Sequence, residues 1–120
     1  MLATQKLGNI PCRGTSVIVE QRDYHVFTGK LVELVRLYEE EGIALQQEFL
    51  GGLIGVFTTD IGPLSTYTSL WGYDNFAERE QRRASLQADE RWRAFLAKIQ
   101  PLIHTQHNRI LVPTVFSPIR

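Results

Sequence analysis

From residue 16 to residue 26 the chain reads SVIVEQRDYHV, a run rich in β-branched residues that predicts a strand. Alternation along it sorts Ile18, Glu20, Arg22 and Tyr24 onto one face and Val17, Val19, Gln21 and Asp23 onto the other. Gly29 closes a turn, and Thr28 is the candidate N-cap of the next element. In KLVELVRLYEEEGI the apolar residues Leu31, Leu34, Val35 and Tyr38 fall at helical spacing, with Lys30, Glu33, Arg36, Glu39 and Glu40 outside. Gly42 either ends this helix or lies within it, and the polar continuation to Gln47 leaves both open. FLGGLIGVFTTDIGP predicts a second strand, where Gly51 and Gly52 point to a bulge or a close backbone approach. Asp60, Gly62 and Pro63 signal a turn, so LSTYTSLWGY is read as the third strand and the partner of the second in a hairpin. Its faces are Tyr67, Ser69, Trp71 and Tyr73 against Thr66, Thr68, Leu70 and Gly72.

Asn75 followed three residues later by Glu78 forms a capping box ahead of the helical stretch FAEREQRRASLQA. Asp89 caps a further one, ERWRAFLAKIQPLI, whose Trp92, Phe95, Leu96 and Ile99 make an apolar stripe and which Pro101 ends or kinks. The later half of HTQHNRILVPTVF predicts the fourth strand, with Pro113 at an edge or strand end. The order β-α-β-β-α-β describes a ferredoxin-like α+β sandwich over residues 16–120, preceded by a flexible extension over residues 1–15. The helices cover one sheet face. The other is expected to carry aromatic and aliphatic groups, and a homodimer would cover them.

Composition narrows the function classes. With 120 residues, 43% hydrophobic and 22% charged, the chain has the make-up of one ordinary domain. Thirteen basic residues balance thirteen acidic ones, which argues against nucleic acid as a main partner. No apolar run approaches the ~20 residues of a membrane-spanning helix. The single cysteine, Cys12, excludes an internal disulfide and fits a reducing compartment, so a cytoplasmic location is expected. The first fifteen residues lack the apolar core of a secretory signal.

His104 and His107 lie three apart, a metal spacing only on a helix, and no cysteine or acid nearby completes a ligand set; no metal or cofactor is expected. Gly51, Gly52 and Gly55 lack the Lys-Ser/Thr of a phosphate loop.

Two clusters carry candidate chemistry. Trp71 and Tyr73 share a strand face, as core packing or as the aromatic wall of a pocket. On the helix that comes after them, Arg79 and Arg83 are four apart and share a face. They form surface ion pairs, or hold a carboxylate or phosphate, or Arg79 pairs with Glu20 or with the partner protomer. Glu20, Arg22 and Tyr24 place a carboxylate, a guanidinium and a phenol on one strand face, which implies water or an interior network, either structural across the dimer or ligand-binding. Arg109, after Asn108, is a similar case. The candidate ligand cleft is therefore built from Glu20, Arg22, Tyr24, Trp71 and Tyr73, with Arg79.

These same segments carry a family resemblance. VEQRDY resembles the Glu-x-Arg-x-Tyr pattern of the NIPSNAP family, here Glu20, Arg22 and Tyr24. FTTDIGPL, LWGYDNFAERE, DERWRAFLAKIQPLI and NRILVPTVFSP are similar to its later strands, turn and helices, so the likeness runs from Ile18 to Pro118. Ser69 stands where the family often has histidine, and Thr28-Gly29 where Pro-Gly is common. The resemblance implies a dimeric α/β-barrel fold more firmly than any reaction. Animal members are associated with mitochondria, and more distant relatives include cofactor-free monooxygenases. The expected function is a homodimeric small-molecule or protein-binding module. The alternative is a cofactor-free oxygenase or isomerase of a small aromatic or acyl compound. There Tyr24, His25 or Tyr73 would move a proton and Arg79 would hold an oxyanion.

Overall fold

The structure, a computed structural model, describes residues 17–120 and the backbone of two short segments before them. Those segments, β1 (Lys6–Leu7) and β2 (Ile10–Pro11), pair antiparallel as a small sheet of their own. Cys12 and the remainder of the expected extension lie outside the described residues.

The main body has the expected order. β3 (Ile18–Val26) leads through a long helix to β4 (Gly52–Thr58) and β5 (Thr66–Tyr73). Helices α3 (Phe76–Ala88) and α4 (Glu90–Ile99) and a 3₁₀ turn, Gln100–Leu102, then lead to β6 (Ile103–Leu111). The four strands pair antiparallel in the order β4-β5-β3-β6, with β4 and β5 as the expected hairpin. This is a ferredoxin-like α+β arrangement, and within one chain the sheet is open rather than a closed barrel.

Gly42 lies inside the first helix. Segment α1 (Leu31–Leu37) passes through a π-helical turn, Tyr38–Gly42, directly into α2 (Ile43–Leu50). A Cβ at Gly42 would sit 2.3 Å from the Phe95 ring, so the missing side chain lets the two helices close up. Gly51, at φ 82°, ends α2, and a Cβ on Gly52 would meet the Gly72 carbonyl oxygen at 2.2 Å. That is the anticipated close approach, and a register shift between Leu53 and Gly55 adds the bulge.

Asn75 Oδ1 accepts the Glu78 N–H at 2.8 Å, as the sequence predicts. Glu78 reaches back one residue further than in a standard box and accepts the Asp74 N–H at 2.8 Å. Asp89 caps α4 by accepting the Arg91 N–H at 2.8 Å.

Four expectations need correction. Thr28 does not cap α1: Lys30 occupies the N-cap position without a side-chain cap, because the Lys30 N–H returns to the Phe27 carbonyl in a turn. Val35 is exposed, and the buried line of the helix runs instead through Leu34 and Tyr38 with Leu37 against it. The fourth strand begins at Ile103, earlier than expected, since it pairs along the full length of β3 and stops before Pro113.

The fourth correction bears on function. Tyr24, Tyr67, Trp71 and Tyr73 lie on the face that the helices cover. Tyr38 from the π turn stacks on Tyr67 at 4.7 Å and on Tyr24 at 6.4 Å, and Phe95 of α4 meets Tyr38 edge-on at 4.9 Å. The uncovered face is mainly polar, with Gln21 and Thr68 both donating to Asp23 and His25 against Thr66. Its apolar members include Val19, which is buried, Leu70, Leu111 opposite Val19 on β6, and Phe57 near the end of β4. Period-2 alternation separates two faces but does not say which one receives the helices.

Candidate functional site

The strand register brings all the sequence-nominated residues to one region. Glu20 of β3 pairs with Trp71 of β5, and Arg22 with Ser69, while Asn108 of β6 lies opposite Arg22 on the other side. Helix α3 crosses above, because Asn75 fixes its start just after Tyr73, and its first turns drop Arg79 onto β3.

Glu20 is the hub and is 0% exposed. Its Oε1 accepts from Arg79 Nε at 3.1 Å. Its Oε2 accepts from Arg22 Nη1 at 2.9 Å, Arg79 Nη2 at 3.0 Å and Asn108 Nδ2 at 3.1 Å. Arg79 is thus bidentate on Glu20, the strongest pairing these groups make. Its Nη1 turns outward to Glu80. Arg22, 7% exposed, donates through Nε to the Tyr24 hydroxyl at 3.1 Å. Burial alone would raise the Glu20 pKa. The Arg79 hydrogen bonds and the charges of Arg22, Arg79 and Arg83 outweigh it and hold the carboxyl below its ordinary 4.5.

Trp71 and Tyr73 are core residues. Trp71 is 0% exposed and donates its indole N–H to Ser69 Oγ at 3.0 Å, so the serine has a local structural partner. Tyr73 is equally enclosed, and its hydroxyl has no hydrogen-bond partner among the described residues. Burial first, and then the Glu20 charge, push its phenol up to about 12. Of the nominated residues, Arg22 and Arg79 line an open space formed by described residues.

That space is a recess of about 460 Å³ between α3 and the edge strand β6. Arg22, Arg79 and Arg83 line it with Glu80, Gln87, Gln106 and Asn108. Arg83 Nη1 is buried without a hydrogen-bond partner among the described residues. Burial, and after it the like charge of Arg22, lower the Arg83 pKa. The sequence pairs Arg83 with Arg79 on one helix face, and the structure places both over the sheet. Arg82 points elsewhere, donating to the Phe49 carbonyl at 3.3 Å.

Gln106 and Asn108 are not among the residues nominated from the sequence. Alternation along β6 places them on the Arg22 face, with His107 and Arg109 on the opposite one, so Asn108 rather than Arg109 joins the network. His25 is also on the far face, its ring edge-on to His107 at 5.5 Å. Among the described residues no group of three or more His, Cys, Asp or Glu side chains is placed to hold a metal ion, and no helix is long and apolar enough to cross a membrane.

An open antiparallel sheet with helices on one face and a buried Glu-Arg-Tyr network at its centre defines a class of small α+β domains. Residues 19–118 match the NIPSNAP family model, and the chain belongs to that family. It is 32% identical to Protein NipSnap homolog 1 of Danio rerio over 108 residues, 90% of this chain and 38% of that protein. It is 30% identical to Protein NipSnap homolog 3A of Homo sapiens, covering 86% of this chain and 42% of that one. The chain therefore spans about two-fifths of the length of these curated relatives.

Solved structures of similar length fit closely. A NIPSNAP family protein from Agrobacterium tumefaciens shares 49% identity at a TM-score of 0.86, covering 88% of this chain and 93% of its own. An uncharacterized NIPSNAP-like domain protein from Burkholderia xenovorans shares 46% at 0.82, covering 85% and 89%. A putative antibiotic biosynthesis monooxygenase from Chloroflexus aurantiacus, 12% identical at a TM-score of 0.58, covers 82% of this chain and 93% of its own and shares the fold alone.

Proposed function

We propose that the chain is a cytoplasmic homodimer that binds a small polar molecule in the recess between α3 and β6. One observation carries the reading. The Glu20 carboxylate locks the heads of Arg22 and Arg79 from the inside, and those same residues, with Arg83, form the wall of an open space. Charged groups held in fixed positions at the edge of a rigid sheet bind a ligand with little ordering cost.

Support for the dimer is separate. Ile61 and Leu64 in the hairpin loop are exposed, as are Val112, Val115 and Phe116 after the last strand. Apolar side chains in that state suit burial against a second copy. Native mass spectrometry tests both parts. The expected species has twice the 13.7 kDa chain mass and carries an added small mass that Arg79→Ala and Arg83→Gln each release. A bare monomer at micromolar concentration overturns the proposal.

The oxygenase or isomerase reading has less support. Tyr24 and Tyr73 are enclosed, Tyr73 is held as a neutral phenol at physiological pH, and His25 is on the wrong sheet face. The Arg79 head is committed to Glu20 and Glu80 and is not free to meet an oxyanion.

A further inference from the structure

We infer that the recess ligand is a small hydrophilic monocarboxylic acid, of the hydroxy-acid type, whose carboxylate pairs with Arg83. This rests on the recess being the binding site and adds the chemical class.

The charge pattern sets the sign. A guanidinium with one nitrogen buried without a partner carries a poorly neutralised charge, and an anion in the recess that the same side chain lines is the group that relieves it. Glu20 is not available to Arg83: its Oε2 already accepts from Arg22, Arg79 and Asn108, and its Oε1 from Arg79. Glu80 is drawn to Arg79 Nη1. Among the described residues, these three arginines and two glutamates leave one surplus positive charge, and Arg83 is the arginine whose buried Nη1 has no hydrogen-bond partner, although it feels the Glu20 charge at longer range. One surplus charge matches a single negative charge. A dianion would bring a second one against the Glu80 wall.

The donor geometry selects the head group. A guanidinium presents a planar fork that fits a carboxylate with two parallel N–H donors. The lining selects the rest of the molecule. Apart from the ions it offers the amides of Gln87, Gln106 and Asn108 and the methyl of Ala84. Gln106 Nε2 donates to Asn108 Oδ1 at 2.9 Å, and Asn108 Nδ2 to Glu20, so each amide has one further N–H to present. Such walls complement hydroxyl and carbonyl groups. Among the described residues no aromatic ring lines the recess, so a nucleobase or an aromatic acid finds no stacking surface.

The test is calorimetric titration of the purified protein at low ionic strength with glycerate, gluconate, butyrate and inorganic phosphate, on wild type, Arg83→Gln and Arg83→Lys. Glycerate or gluconate should bind wild type, about tenfold or more weaker to Arg83→Gln, with Arg83→Lys between them. Butyrate and phosphate should bind at least about tenfold more weakly than the hydroxy acid. Urea midpoints serve as the folding control. Without acid Arg83→Gln should be as stable as wild type or more so, because it removes an unpaired buried charge. Added hydroxy acid should raise the midpoint most for wild type, less for Arg83→Lys and least for Arg83→Gln. Phosphate or butyrate binding as tightly as the hydroxy acids, in an Arg83-dependent way, overturns the acid class and leaves the recess as a site. No binding of any of the four by wild type overturns the class and the recess together. Equal binding by wild type and Arg83→Gln overturns the role of Arg83.

Discussion

Replacing Glu20 by glutamine tests how the interior network is held together. The change keeps the shape of the side chain and removes its charge. Glu20 is wholly buried and receives donors from Arg22, Arg79 and Asn108. Arg79 has a partial escape, since its side chain is 21% exposed and it keeps Glu80. Arg22 has less: it is 7% exposed at the wall of the recess, and its remaining hydrogen-bond partner is the neutral Tyr24 hydroxyl. Breaking a buried pair by removing one partner costs about 3–5 kcal/mol, and the relief available to Arg79 puts this case at the low end, about 3 kcal/mol. For a domain near 100 residues that corresponds to a fall of roughly 12 °C or more in Tm.

Urea unfolding at pH 7 measures it directly, with an unchanged m-value as the sign that the denatured state is unaltered. The pH dependence gives a second signature. A carboxyl held below 4.5 in the folded state contributes fully above 4.5 and loses that contribution as pH falls through its lower folded value. The gap between wild type and Glu20→Gln should therefore narrow as the pH drops below 4.5. A loss under about 1 kcal/mol at pH 7, or a gap that stays constant into acid, would show that Arg22 finds compensation without Glu20.

Other expectations come from packing and capping. Gly42→Ala should cost about 1–3 kcal/mol in urea unfolding, since its methyl would press on the Phe95 ring from 2.3 Å. Asn75→Ala should cost about 1 kcal/mol by removing the acceptor for the Glu78 N–H, with Asn75→Asp close to wild type. Tyr73→Phe should leave stability unchanged or raise it by about 1 kcal/mol, because the hydroxyl it deletes is buried without a partner among the described residues; a clear loss would reveal a hydrogen bond there.

Much of the fold is legible in the residues because local signals agree with one another. Alternation in β3 and β5 sorts Glu20, Arg22 and Tyr24 with Ser69 and Trp71, and the register does place them together. Asn75 and Asp89 cap their helices because short polar side chains next to orphan N–H groups have few better conformations. The interior network is foreshadowed by three polar groups on one strand face, an arrangement that only water or mutual pairing can satisfy.

What is not legible depends on long-range packing. Both faces of β5 mix apolar with polar residues, so nothing local says that Trp71 and Tyr73 meet helices rather than a ligand. Thr28 has a capping side chain in a suitable place, yet the turn closing on Phe27 moves the helix start to Leu31. Arg83 is visible in the sequence beside Arg79. Its lack of a partner among the described residues emerges only once Glu20 is seen to be fully occupied.

The guanidinium Nε–Hε resonances of the arginines allow the sharpest test, because they report each head group separately during a titration with gluconate. The expected result is a saturable shift of Arg83, with Arg22 and Arg79 nearly stationary in the grip of Glu20. No movement of Arg83 at saturating acid, or equal movement of all three, would contradict a site built on Arg83 beside a closed network.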